Sequence, residues 1–210
     1  MRFIALVSLL TLFTLSSKAQ IIYGADAGWN HIGANARTRE GTKIPVIARN
    51  GFHAGIMLKV PFDKKLYFVP QLQYSSKKYD LRYQNLYGDS VVQKNLNIHY
   101  IELPLLLQYD TREQKAHVFF QFGPSISFAI SGREKILELD QSSVSQKMVF
   151  DFYAYEHFEF NLIGRIGYQF GNNMALSTGY SLGLGSIVDD DNGPIVKPRT
   201  FTVNLGYWFR

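Results

Sequence analysis

From Ile21 onward, bulky apolar residues recur at every second position in eight separate stretches. In "IIYGADAGWN", Tyr23, Ala25, Ala27 and Trp29 alternate with Gly24, Asp26, Gly28 and Asn30. In "GFHAGIMLKVPF", Phe52, Ala54, Ile56, Leu58, Val60 and Phe62 alternate with His53, Gly55, Met57 and Lys59. The same rhythm runs through "KLYFVPQLQYSSK", "IHYIELPLLLQYD", "AHVFFQFGPSISFAIS", "HFEFNLIGRIGYQF", "NMALSTGYSLGLG" and "RTFTVNLGYWFR". A period of two belongs to the β-strand, whose side chains point alternately to opposite faces. The stretches run for 10 to 16 residues, long enough for a tilted membrane strand.

The chemistry of the two faces decides which one is inside. One is bulky and apolar; the other is rich in Gly, Ser, Gln and Asn, with few charges. A soluble barrel fills its core with the bulky face and carries Lys and Glu outside. A membrane barrel inverts this, with lipid outside and a cramped polar lumen within. Small uncharged residues suit that lumen. Glu102, the one carboxylate in "YIELPLLLQY", then falls on the lumen face with Asp26, His53, Lys59, Glu159 and Arg165. There a charge persists when paired and hydrated.

Connection lengths supply an independent argument. Long links of about 20, 20, 25 and 14 residues alternate with the short turns Asp63-Lys64-Lys65, "TREQK" and Gly171-Asn172-Asn173. Outer-membrane barrels show this alternation, with long loops outside and short turns in the periplasm. Tyr109, Phe170 and Phe62 fall near the short turns, and Trp29, Tyr74 and Phe158 near the long links. These match the two interfacial aromatic rings of a membrane barrel. Pro70, Pro104 and Pro124 lie inside strands, where each removes a ladder hydrogen bond. Each must sit at a bulge or at a point where pairing lapses, and the expectation is a local bulge at each.

The N-terminus modifies the picture. Arg2 is followed by an apolar run from Phe3 to Leu15, and Ser17-Lys18-Ala19 forms a small-x-small site before Gln20. That is the pattern of a secretory signal peptide over residues 1–19, leaving 20–210 as the barrel domain. The run is too short for a spanning helix. Without residues 1–19 the chain carries 20 basic and 17 acidic residues, too even a balance to argue for nucleic acid. There is no cysteine, which excludes disulfides and thiolate metal sites.

Candidate chemistry is sparse. His53 and His157 are expected to face inward near the outer mouth, with Glu159 nearby and His31 just beyond strand one. Strands two and six, which carry the first two, should lie on opposite walls, which argues against a metal cluster. Ser177, Ser181, His157 and Glu159 supply the residue types of a lipid hydrolase or acyltransferase, in no telling spacing. "DDDNG", Asp189 to Gly193, lacks the alternate-position ligands and distal Glu of a calcium loop. It reads as a solvated acidic turn. The first long link carries Arg37, Arg39, Lys43 and Arg49 against Glu40. Those four are candidate contacts for lipopolysaccharide phosphates.

The stretches "GFHAGIMLKVPF", "LYFVPQLQYSSK", "YIELPLLLQY" and "FFQFGPSISF" resemble the outer-membrane β-barrel family common in Bacteroidota, often called PorT-like. They look like its glycine-led second strand, proline-bearing third, "IE-x-P-LLL" fourth and "GP" fifth. The resemblance covers Ile21 to Arg210 and implies a fold, with strand prolines as part of its pattern. The family name comes from a secretion-associated protein, so an accessory role in secretion is what the resemblance implies for function. One departure is at the end of the chain, where Arg210 follows Phe209 in place of a terminal aromatic.

The expected molecule is therefore all-β, an eight-stranded antiparallel up-and-down transmembrane barrel in an outer membrane. It should be monomeric, with a filled lumen, short periplasmic turns and long extracellular loops. The expected role is non-enzymatic, without cofactor or metal, structural or directed at lipid, lipopolysaccharide or a partner through the loops. The alternatives are a membrane-embedded lipid-modifying enzyme and a soluble lipocalin-like carrier.

Overall fold

The computed structural model describes residues 20–83, 91–113, 116–140, 142–151, 154–190 and 193–209. Residues 1–19, where the signal peptide is expected, lie outside them. Eight long strands form the wall: β1 (Ile22–Arg37), β3 (Val46–Asp63), β4 (Leu66–Arg82), β5 (Val91–Asp110), β6 (His117–Glu138), β8 (Phe158–Gln169), β9 (Met174–Gly183) and β10 (Ile195–Phe209). Two short strands, β2 (Lys43–Ile44) and β7 (Ser143–Lys147), pair onto β1 and β6 within long connections. Each wall strand pairs antiparallel with the next, and β10 pairs back onto β1 from Tyr23↔Phe209 to Arg37↔Ile195. Closure gives every wall strand a partner on both sides, the condition for spanning a bilayer with strands.

The short turns gather at the end where β1 begins and β10 finishes. Lys64 N donates to Asp63 Oδ1 at 2.7 Å in one. In another, Asn173 takes a left-handed φ of 67°, which asparagine tolerates.

At the opposite end the strands run further than the sequence pattern suggested. β5 and β6 reach 20 and 22 residues. Much of what reads as long loop is barrel wall: β1 continues to Arg37, β3 starts at Val46, and β4 continues to Arg82.

The prolines correct a second expectation. No bulge forms at Pro70, Pro104 or Pro124; the register runs through each unchanged. Instead two residue pairs drop out of one ladder beside each proline. The gap lies toward β3 at Pro70, toward β4 at Pro104 and toward β5 at Pro124. A missing N–H removes a bond without adding a residue, so the pairing lapses and the alternation is preserved. The irregularities occur elsewhere, including one at His99/Tyr100 opposite Ile130.

Candidate functional site

The outward face over the turn-side part of the wall is apolar on every strand. Tyr23, Phe52, Ile56, Leu72, Leu103, Leu107, Phe120, Phe160, Leu176 and Leu205 are all exposed. The inward face at the same height is polar and buried. Asp26, His53, Lys59, Glu159 and Arg165 are each 8% exposed or less, and Glu102 also points inward, its side chain 12% exposed.

These groups meet in three tiers. Nearest the turns, Lys59 Nζ lies 2.5 Å from Asp110 Oδ2. Gln108 Nε2 donates to Asp110 Oδ1 at 2.6 Å, and His117 Nε2 is 3.1 Å from Oδ2. The Lys59 ammonium also sits 4.2 Å from the centre of the Tyr67 ring, a favourable cation–π distance. In the middle tier, Gln73 Nε2 donates to Asp26 Oδ2 at 2.5 Å and to Gln71 Oε1 at 3.0 Å. Arg165 Nη1 donates to the same Gln71 oxygen at 3.0 Å. His53 Nδ1 bonds Asn30 Oδ1 at 2.7 Å, and its Nε2 stands 3.8 Å from Asp26. Gly28 leaves the room for that imidazole: a Cβ there would lie 2.4 Å from His53 Cε1. In the third tier, Lys77 Nζ stands 2.7 Å from both Glu102 Oε1 and Glu159 Oε1. Glu102 thus has a cation beside it, supplied by the neighbouring strand β4.

Above Lys77 the inward face changes character. Tyr79, Leu81, Leu96, Ile98 and Tyr100 join Ile32, Ile44, Val196 and Ile187 in a buried apolar cluster. The residues alternating with them, Lys78, Arg82, Arg133 and Lys135, are exposed. The wall is continuous, but its polarity reverses: greasy outside and polar inside near the turns, polar outside and greasy inside beyond. Within the apolar part Tyr155 Oη donates to Glu134 Oε2 at 2.8 Å. Burial, and then the neighbouring carboxylate charge, push that phenol's pKa up, so it remains a donor.

A reversal of this kind fits a wall whose lower part faces acyl chains and whose upper part faces water. The family profile described as "Outer membrane protein beta-barrel domain" matches residues 19–189. The chain belongs to the outer membrane protein β-barrel domain family. No curated protein matches it.

Among solved structures, the outer membrane protein OprG from Pseudomonas aeruginosa aligns with a TM-score of 0.50 at 12% identity, covering 91% of this chain and 97% of that one. Ail, the attachment invasion locus protein of Yersinia pestis, crystallised with the heparin analogue sucrose octasulfate, aligns at 0.47 and 14%, covering 90% and 99%. Neisserial surface protein A aligns at 0.43 and 16%, covering 92% and 100%. At these identities the likeness concerns the fold.

For an outer membrane β-barrel the short-turn end is periplasmic and the extended end extracellular. The other candidate residues then fall into place. His157 does not face the lumen: it is exposed and stacks on outward-facing Phe128, ring centres 5.2 Å apart. It lies just before β8, where the ladder has not yet imposed alternation. Ser177 is inward and accepts a bond from Asn204 Nδ2 at 3.0 Å, so serine and histidine occupy opposite faces of the wall. His31 is outside, stacked on Trp29. Among the described residues no group of three His, Cys, Asp or Glu could hold a metal. Asp191 and Asn192 of the acidic turn lie outside the described residues.

The four basic candidates are separated. Arg37 and Lys43 are exposed cross-strand neighbours on β1 and β2. Arg39 is turned aside, donating to the Gly193 and Asp190 carbonyl oxygens at 3.1 and 2.9 Å. Arg49 donates to Asp80 Oδ2 at 2.9 Å through Nε and 2.6 Å through Nη2. Sequence reasoning missed Lys77, Asp110, Gln71, Gln73 and His117 as members of the lumen network. Each lies on the predicted inward parity, and that signal was available, but partners on other strands are set by register.

Proposed function

We propose that this outer-membrane barrel is a closed, non-enzymatic wall whose work is done by its outer surface. The observation that carries this reading is the double seal. The lumen at membrane depth is filled by the bonded tiers around Lys59, Asp26 and Lys77. The apolar cluster of Tyr79, Ile98, Ile32 and Val196 then closes the extracellular end. An eight-stranded barrel has an interior just wide enough for its side chains, and ions do not cross a dry apolar core. Ser177 faces the lumen and His157 the outside, so the serine and histidine of a hydrolase set are not brought together there.

The extended outer wall offers basic and polar side chains to the headgroup and sugar region of the outer leaflet, with Arg37 and Lys43 projecting from its rim. Lipopolysaccharide is the partner that chemistry suits. The test is single-channel recording of the refolded barrel in planar bilayers. No conductance above the bare membrane is expected. Steady channels at ordinary voltages would overturn the sealed-lumen reading.

A further inference from the structure

The irregularity at His99/Tyr100 shapes the outer surface. His99 pairs with Ser131 and Tyr100 with Ala129, so Ile130 has no partner on β5. As a result Ile130 and Ser131 are both exposed on the outside, one after the other. The groove they open, about 480 Å³, is walled by His99 on β5, by Lys147 at the end of β7, and by Met148 and Phe150 just beyond it. Its floor is apolar: Ile130 is 48% exposed and continues the lipid-facing column of Phe128, Ile126 and Phe122.

The upper rim is cationic. Arg133 and Lys147 are directly paired across β6 and β7. Arg133 also faces Asn97 on β5, which faces Lys78 on β4. Three cations and an amide donor thus stand in one row across four adjacent strands, all on the outward face. None of the three cations has an ion pair among the described residues. The nearby acids are spoken for. Asp80 is held by Arg49 at 2.6 Å, and Glu134 points inward to Gln146 and Tyr155.

Depth makes the arrangement specific. Asn97 lies four residues beyond Ile101, an exposed apolar residue of the same face. Four residues advance about 13 Å along a strand, or about 10 Å along the axis of a barrel with strands tilted near 40°. The headgroup layer adds roughly 5–7 Å to each side of the hydrocarbon core, and the apolar column reaches Ile130, beyond the level of Ile101, so the row stands in that layer. The row differs from the rim pair Arg37 and Lys43, which sits several residues higher on β1.

We propose that the bulge groove is a binding site for one phosphorylated outer-leaflet glycolipid, the lipid A portion of lipopolysaccharide. Its phosphate is held between Arg133 and Lys147, and an acyl chain lies on Ile130. Guanidinium recognises phosphate through paired N–H donors and ammonium through charge, while the apolar floor adds affinity for an acyl chain that a free anion lacks. The inference rests on the outer-membrane reading and names the site through which the wall would hold its lipid.

The test uses the refolded full-length barrel in phosphatidylcholine nanodiscs. Incorporation and the heat-modifiable gel shift are scored first, and failure there overturns the membrane reading and this one with it. Incorporated barrel is then titrated with bisphosphorylated lipid A, with its dephosphorylated counterpart and with inorganic phosphate. Bound lipid is counted by native mass spectrometry. Saturable binding of the bisphosphorylated lipid is expected, weakened about tenfold or more by Arg133→Gln with Lys147→Gln, in line with loss of charge-assisted bonds. Ile130→Ser should weaken the lipid and leave phosphate unaffected, while Lys64→Gln with Arg112→Gln, exposed in the short periplasmic turns, should leave the count unchanged. Equal binding of the dephosphorylated lipid, or an unaltered affinity in the Arg133/Lys147 variant, would overturn the proposal. So would binding of phosphate as tight as that of the lipid.

Discussion

Lys77 on β4 and Glu159 on β8, three strands apart around the ring, meet across the lumen with Nζ 2.7 Å from Oε1. Glu102 on the intervening β5 takes the same ammonium at the same distance. All three groups are nearly removed from water, and a buried carboxylate left without its cation is costly. Lys77→Met should therefore lower stability by about 3–5 kcal/mol, measured as a shift in the urea unfolding midpoint of the barrel in detergent. Adding Glu102→Gln and Glu159→Gln should recover most of the loss, because the uncompensated charges then disappear.

The outer pair of Arg49 and Asp80 gives the contrast. Its contact is as short, at 2.6 Å, but the arginine side chain is 51% exposed. Water already solvates that charge, so Asp80→Asn should cost under about 1 kcal/mol in the same assay. A loss as large as that of Lys77→Met would mean the outer wall depends on this pair far more than its exposure implies.

These two pairs also show what the chain disclosed before its structure. Glu102 and Glu159 are legible as inward because alternation assigns a face to every strand residue. Their cation was not legible, since which residue stands opposite depends on stagger around a closed ring. The outer wall was misread for a different reason. "KKYDLRY" alternates as regularly as any membrane stretch, with Tyr79, Leu81 and Tyr83 against Lys78, Asp80 and Arg82. Its apolar set, however, is the inward one. A reading that expects grease outside stops where the surrounding solvent changes from lipid to water, and assigns the remainder to loop. His157 was misplaced because parity was extended one residue ahead of the start of β8.

Gly123 marks a close approach of two strands beside Pro124. A Cβ at this position would lie 2.1 Å from the Leu105 carbonyl oxygen, a backbone atom that cannot swing away. Gly123→Ala should cost about 1–3 kcal/mol as the strands part, again read from the urea midpoint. Gly164→Ala is the control. Its Cβ would meet nothing within 4 Å, and the change should stay within about 0.5 kcal/mol of neutral.

Glu156, in the extracellular connection before β8, carries a pKa raised above the ordinary 4.5, first by burial and then by the charge of Asp189, to which it is hydrogen-bonded; nearby His157 acts in the opposite sense. An acid whose pKa is higher folded than unfolded binds protons more tightly when folded. Falling pH thus favours the folded arrangement until the unfolded value is passed. Local protection should increase as pH drops from 7 toward 4.5. The amide of Glu156, bonded to the Ile187 carbonyl at 2.9 Å, reports it by hydrogen exchange. Glu156→Gln should show the higher protection at pH 7 already and a flatter pH profile.

Leu103 and Asn97 stand on the same outward face of β5, six residues apart, on either side of the reversal in polarity. Spin labels at Leu103→Cys and Asn97→Cys, introduced singly in the barrel in lipid nanodiscs, probe that reversal directly through collision with dissolved oxygen and with a water-soluble nickel chelate. The label at 103 should collide with oxygen and be shielded from nickel, and the label at 97 should do the opposite. Both labels colliding freely with nickel would contradict the account, since the apolar face of the wall would then be in water.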